Sequence, residues 1–436
     1  MEIPSVLQTE RAYLVGIEIK GSRPLLSVHE SLAELELLAQ TAGLEVIGKT
    51  HQSVVRADPK TFIGSGKVEE IKIQVTDLDV QTVVFDDELS PRHQRELERA
   101  FGEAVKVLDR SAVILDIFAQ HAQTHEGRLQ VELAQYEYLL PRLTRQWTHL
   151  ERQAGGGAAR GGAGGVGLRG PGEKQLEVDK REIGRRISRL KSELEGVRAH
   201  RSRHRIQRQR AGIPVLGLVG YTNAGKSTLM NALTAADVYV ADQLFATLDP
   251  TTRKIQLPSG KEVLISDTVG FIQKLPTMLV AAFRATLEEV LEADVLLHIV
   301  DSAHPNALAH IETVEDTLAE IDMPRVPRIL VLNKKDLWED DHLGDQFRDL
   351  GYDEVVAISA QKKIALENLL ETVEKVIQRS LVPIEFLVPY RQGELIALAH
   401  KLGVIKSETH TPEGVILRGD VPPALAARLA REKLTR

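Results

Sequence analysis

The 436-residue chain has no cysteine, which excludes disulfides and thiolate metal centres and fits a reducing compartment. Aromatic residues make up only 4% of it, against 43% hydrophobic residues overall. That composition still suffices for sizeable buried cores. No apolar run reaches the roughly 18 residues that would span a bilayer. The opening MEIPSVLQTE lacks a basic-then-apolar signal pattern. The expectation is a cytoplasmic protein without a transmembrane segment, peripheral membrane association being left open. At this length a single hydrophobic core is unusual, so two or three domains are expected.

The net charge of −7 hides an asymmetry. Residues 141–210 carry 18 Lys/Arg against 7 Asp/Glu. A basic island in an otherwise acidic chain is a candidate contact for a polyanion, through its phosphates and the counterions they release. The plain alternative is a solvated helix face.

Along residues 1–110, strand-like YLVGIEI, LEVIGKT, VQTVVF and VKVLDR alternate with helical segments. One of these, SPRHQRELERAFG, has a Ser N-cap, a Pro at its start and a Gly stop. The pattern argues for a mostly parallel, covered sheet. A helical run is expected from Ala112 to about Gln153, then a loop with ten glycines between Gly155 and Gly172, then a basic helix over 174–210. Together these read as an antiparallel helical hairpin in 111–210. Residues 211–382 alternate again, through VLGLVG, KIQLP, EVLISD, VLLHIV, RILVLN and VVAIS. The proline-bearing SLVPIEFLVPY reads as a junction, and 383–436 as a small α+β domain with one strand-like stretch between two helices. The expected fold is therefore α/β: an N-terminal α/β domain with the hairpin, a central doubly wound P-loop domain, and the small C-terminal domain.

The chemistry concentrates in GYTNAGKS, residues 220–227. It matches G-x-x-x-x-G-K-[ST], follows an apolar strand and opens a helix. Backbone N–H groups of Gly220, Tyr221, Thr222, Asn223, Ala224 and Gly225 are expected to face phosphate oxygens at a helix N-terminus. Lys226 adds charge at the outer phosphates, and Ser227 a hydroxyl for Mg²⁺. DTVG ends the next motif strand: Asp267 is placed to hold Mg²⁺ through water, and the Gly270 amide to meet the terminal phosphate, with Thr268 and Val269 between them. NKKD (Asn333, Lys334, Lys335, Asp336) closes another strand, and its aspartate can accept two hydrogen bonds from guanine that adenine cannot offer. Ser359 and Ala360 lie where they can touch the base carbonyl. All four motifs fall at carboxyl ends of strands, the ligand side of a doubly wound sheet, and their order argues for GTP.

These motifs, with LFATLDPTTR (244–253), GLRGPGEKQLEVDKR (167–181) and TFIGSGKVEEI (61–71), resemble the HflX family of the Obg–HflX group of translation-related GTPases. The likeness runs over essentially the whole chain. It implies GTP hydrolysis and extends the nucleotide-contacting set to Thr228, Phe245, Ala246, Thr247, Leu248 and Asp249. Thr247 aligns with the switch threonine that coordinates Mg²⁺ beside Ser227 and Asp267. Lys226, Thr247, Gly270 and Asn223 make up the implied catalytic set. The resemblance further implies a monomer off the ribosome that binds the large ribosomal subunit and its rRNA, splitting or rescuing stalled or idle ribosomes under stress. The alternative is a GTPase serving tRNA modification or ribosome assembly. The glycine-rich loop departs from the family in being longer.

Where many GTPases place a water-orienting Gln, this chain has Phe271, so hydrolysis must use something else. Gln273 is a nearby polar residue, read here as an ordinary surface residue. In related GTPases Asn223 helps bind K⁺, which offsets charge developing between the outer phosphates; a turn-forming Asn is the plainer reading. Three other features point away from function. GSGK (64–67) reads as a helix start, Asp86, Asp87 and Glu88 as helix-dipole acids, and His200 and His204 as surface residues among arginines.

Overall fold

The structure, a computed structural model, describes residues 9–22, 24–102, 104–146, 180–197, 213–234, 244–245, 251–276, 290–321, 323–422, 425–426 and 429–430. The chain divides into two compact units. Residues 1–196 make up most of the first, and the second is drawn mainly from residues 197–436.

In the first unit, β1 (Arg11–Ile19), β2 (Glu45–Val54), β3 (Thr82–Phe85) and β4 (Lys106–Asp109) form a parallel sheet in the order β2-β1-β3-β4. Each crossover is a helix that the sequence punctuates. Ser27 and Glu30 close a reciprocal capping box on Val28–Thr41, and Ser90 caps Pro91–Phe101, with proline in the first turn, which satisfies N–H groups that a helix start leaves orphaned. Gly64 is the N-cap of Ser65–Asp77, so GSGK is a helix start. The expected helical run from Ala112 is interrupted. Helices Arg110–His121 and His125–Gln146 are separate, because Ala122 turns extended (φ −68°, ψ 103°) and Thr124 Oγ1 accepts the Gly127 N–H at 3.0 Å to begin the next helix. Leu129 and Leu133 pack with Leu190 and Leu194 of the helical stretch 180–197. The connection between them, including the glycine-rich loop, lies outside the described residues, as do His200 and His204.

Buried charge in this unit is paired. Asp86, 1% exposed, accepts from Arg110 Nη1 at 2.8 Å and Ser31 Oγ at 2.6 Å. Lys274, whose segment clusters with this unit, pairs with Asp86 and with Asp87 at 2.7 Å. These acids therefore hold cations of the chain itself, and no group of three metal-ligating side chains occurs among the described residues.

In the second unit, β5 (Val215–Val219), β6 (Thr251–Gln256), β7 (Glu262–Asp267), β8 (Val295–Asp301), β9 (Arg328–Asn333) and β10 (Glu354–Ala357) form a six-stranded sheet in the order β10-β9-β8-β5-β7-β6. All pairs are parallel except β6 with β7. The strands flanking β5 are Leu-, Ile- and Val-rich because helices cover both faces. A polar network is built into this core. His298, 1% exposed on β8, places Nδ1 2.7 Å from Tyr352 Oη, and that hydroxyl donates to Glu315 at 2.8 Å. The tyrosine's single proton is then spent on the carboxylate, so His298 Nδ1 is the donor. Burial holds the imidazole below its ordinary pKa. Burial also pushes Glu315 up, but the nearby His298 Nδ1 at 3.5 Å, the hydrogen bond from Tyr352 and the charge of Arg328 outweigh it and hold the carboxyl at about 2.

The C-terminal residues of this unit correct the sequence reading. The stretch 380–390 is not only a junction, because it contains β11 (Val382–Val388), which joins β12 (Val404–Thr411) and β13 (Gly414–Val421) in an antiparallel sheet of order β11-β13-β12. Pro383 is tolerated there because β11 is an edge strand, where one missing N–H costs no ladder bond. Ile384, Val388, Leu395, Ala399, Leu417 and Val421 bury a small core of their own. No helix among the described residues is long and apolar enough to cross a membrane.

The Glu315 network predicts an acid limb. A carboxylate held below its ordinary 4.5 contributes stability above that value and loses it as pH falls toward about 2. Glu315→Gln is expected to cost about 1–2 kcal/mol at neutral pH and to flatten stability between pH 4.5 and 2. Urea unfolding of both forms across that range checks it.

Candidate nucleotide site

The turn after β5 requires unusual backbone. Gly220 has φ +153°, and a Cβ there would meet Ile299 O at 2.2 Å; Gly225 has φ +95°, and its Cβ would meet Asn333 Nδ2 at 2.2 Å. Asn223, exposed between them, is left-handed at φ +59°, a conformation that Asn tolerates better than most residues. The helix Lys226–Thr234 then leaves the loop as expected.

Lys226 is 6% exposed, and its Nζ donates to the carbonyls of Gly220 at 3.0 Å and Tyr221 at 2.8 Å. The ammonium is thus folded back over its own loop. Burial pushes its pKa down to about 8, with the Asp267 charge pulling the other way. Ser227 Oγ donates to Asp267 Oδ2 at 2.6 Å, which brings two hard oxygen donors together at the helix start. Thr268 Oγ1 donates to Leu218 O at 2.6 Å, anchoring DTVG to β5. A Cβ on Gly270 would stand 3.1 Å from Lys226 Nζ and 2.9 Å from Thr222 Cα. The DTVG turn therefore lies directly on the loop, and Val269 is buried behind it.

Asn333 links the remaining motifs. Its Nδ2 donates to Ala224 O at 2.8 Å, and its Oδ1 accepts from Ala360 N at 3.0 Å. Ser359 is fully buried, with its Oγ accepting from Lys362 N at 3.1 Å. Lys334 is left-handed (φ 64°) and pairs with Asp301 at 2.7 Å, while the Lys335 N–H donates to Ile358 O at 2.9 Å. Asp336 projects exposed from the short turn that follows.

The structure thus gathers Gly220–Ser227, Asp267–Gly270, Asn333–Lys335 and Ser359–Ala360 at the carboxyl ends of β5, β7, β9 and β10. Thr228 follows in the helix. Phe245 is placed elsewhere: it clusters with the first unit, its ring edge-on to Phe118 at 4.7 Å. Ala246, Thr247, Leu248 and Asp249 lie outside the described residues. Sequence reasoning missed the side-chain role of Tyr221, which turns away from solvent, and the bridging role of Asn333. Nothing in local spacing reveals either contact.

Residues 215–334 match the family model described as 50S ribosome-binding GTPase, residues 29–119 match GTP-binding GTPase N-terminal, and residues 121–208 match GTP-binding GTPase Middle Region. The chain is similar to GTPase HflX of Caldanaerobacter subterraneus subsp. tengcongensis, 45% identical over 96% of this chain and 93% of that one. It is similar also to GTPase HflX of Escherichia coli K12, 42% identical over 93% and 92%. Among solved structures, a complex of the protein SsGBP with GDP aligns over 85% of this chain and 100% of that one, at 28% identity and a TM-score of 0.47.

Gly225→Ala is expected to cost more than about 2 kcal/mol, since left-handed strain and the Asn333 clash act together. Gly260→Ala is expected to cost only about 1 kcal/mol, because Gly260 is left-handed too (φ +82°) with nothing near its Cβ direction. Urea unfolding of the pair, with titration of fluorescent GDP, separates the two effects.

Proposed function

The chain belongs to the HflX family of GTPases and hydrolyses GTP, and from that premise we propose that it is a switch acting on the large ribosomal subunit, where it splits or rescues stalled or idle ribosomes. The observation that carries the nucleotide half of this reading is the Asn333 bridge between the phosphate loop and the Ser359–Ala360 turn. The ribosomal half is supported by the 50S ribosome-binding description of the matching family and by the charge of +11 over residues 141–210. Residues 1–110 and 111–210 would form the ribosome-directed part, with rRNA phosphates as its contacts. Residues 211–382 would be the GTPase, and 383–436 a small C-terminal domain.

In this reading the loop amides of Gly220–Gly225 and the helix N-terminus behind them cradle the phosphates, and Lys226 exchanges its carbonyl partners for phosphate oxygens. Ser227 and Asp267 are hard oxygen donors already 2.6 Å apart, a pair that fits Mg²⁺; with Thr247 they would hold that ion, which supplies neutralising charge at the outer phosphates. Gly270 presents its N–H to the terminal phosphate. Asp336 and Lys335 take the guanine, and Ser359 and Ala360 border it. Phe271 is 2% exposed and apolar, so its side chain cannot orient water. The left-handed turn accounts for an asparagine at 223 by backbone geometry alone. A K⁺ role for Asn223 therefore rests on the resemblance to cation-dependent relatives.

Purified protein is expected to hydrolyse GTP at least about tenfold faster with isolated large subunits than without, roughly 1.4 kcal/mol off the barrier. The rate is expected to be higher in potassium than in sodium buffer and abolished by Lys226→Ala. A rate indifferent to large subunits would sink the ribosomal reading. Equal rates in the two salts would remove K⁺ alone.

A further inference from the structure

Tyr221 occupies the second position of the phosphate loop, yet its side chain is 5% exposed and is taken up by partners within the protein. Its ring lies flat on the imidazole of His310, with centroids 3.9 Å apart and planes 7° apart. His310 sits in the first turn of the helix Ala307–Glu320, 9% exposed, with the His304 ring 4.5 Å beyond it. The hydroxyl at the far end of the tyrosine accepts the Gln273 N–H at 2.9 Å.

That bond is one of three. The Thr222 N–H donates to Phe271 O at 2.8 Å, and the Phe271 N–H donates to Gly220 O at 3.1 Å, so residues 220–222 and 271 pair as a minimal parallel ladder. The ladder ends at Phe271. Beyond it, the Tyr221 hydroxyl carries the same restraint two residues further along the chain. Phe271 and Ile272 are buried at 2% and 1%, so the segment following Gly270 is held from below by packing and from the side by these bonds.

We propose that Tyr221, backed by His310, is a positioning residue for GTP hydrolysis: it fixes the segment after Gly270 by holding the Gln273 amide, and so presets where the Gly270 N–H points. A chain whose DTVG motif is followed by a phenylalanine has no side chain at that position to arrange the reacting groups, so the backbone must be placed in advance. Placement errors of about 1 Å cost about a hundredfold in rate. A ring stacked face to face on a second ring is a stiff support with few soft torsions, and its hydroxyl reaches the Gln273 amide, two residues past the end of the ladder. The inference deepens the GTPase activity and does not depend on the ribosomal reading.

The test is Tyr221→Phe, which keeps the ring and its stack and removes the hydroxyl that accepts the Gln273 N–H. Three readouts are taken without ribosomes: single-turnover GTP hydrolysis, affinity for a fluorescent GTP analogue, and hydrogen exchange of the peptide spanning residues 271–274. Hydrolysis is expected to slow by between about tenfold and about a hundredfold while affinity and thermal midpoint stay unchanged. The Gln273 amide is expected to exchange at least about fivefold faster. His310→Ala, which removes the backing ring, is expected to move hydrolysis and exchange in the same direction. Unchanged hydrolysis in Tyr221→Phe overturns the proposal. So does a loss of rate matched by an equal loss of affinity or of thermal midpoint, which would make the bond merely structural. Unchanged behaviour of His310→Ala removes the backing role. Wild-type turnover in the same assay tests the GTPase itself, so a failure there is not mistaken for a failure of Tyr221.

Discussion

One carboxamide holds the candidate site together. Asn333, at the end of β9, donates to the phosphate loop at Ala224 and accepts from Ala360 after β10. Two loops far apart in sequence are thereby locked to one strand end. The bond is possible only because residue 225 lacks a Cβ, which would stand 2.2 Å from the amide nitrogen. An asparagine can do this and an aspartate cannot, since one partner is a carbonyl and the other an N–H. The first residue of NKKD is therefore an architectural requirement before any base is considered, and the exposed Asp336 is left free of structural work.

The sheet order explains why so few bonds suffice. With β5 between β8 and β7, the chain reverses its direction of growth at β5, and the crevice this creates lies at the carboxyl ends of the strands. The motifs after β5, β7 and β9 arrive there at the end of largely buried aliphatic strands, so their backbone is placed by packing. The polar contacts then fix only loop conformation. Packing supplies location and hydrogen bonds supply shape, which is why the glycines at 220 and 225, where backbone meets backbone or carboxamide, are the least replaceable residues of the loop.

Much of this was legible in sequence, for a physical reason. Buried parallel strands are continuous apolar runs, and helix starts carry their caps within three residues, so VLISD, RILVLN and Ser90 announce their structure locally. The same holds for GYTNAGKS, whose spacing is itself the geometry. What escaped depends on partners distant in the chain. The break at Ala122 is the local exception, missed because helical periodicity continues on both sides of it. The strand Val382–Val388 was obscured by Pro383, whose tolerance depends on being at a sheet edge, a property of the assembled sheet. The His298–Tyr352–Glu315 network joins residues 17 to 54 apart, and no window short enough to show periodicity contains it. The loop tyrosine at 221 reads as one more position of a motif until its ring is seen against His310.

Phe271 illustrates how the two kinds of information meet. By sequence it is a missing glutamine, and the question becomes what replaces a lost function. In the structure it is a buried residue whose backbone donates to Gly220 and accepts from Thr222. An apolar side chain there anchors the segment in the core, where a glutamine would carry an amide needing partners of its own. Burying residue 271 gives up a mobile polar group and gains a rigid backbone. A site arranged that way depends for its rate on prepositioned N–H groups and on charge. The burden of alignment then passes to the contacts that hold the backbone on either side of Phe271.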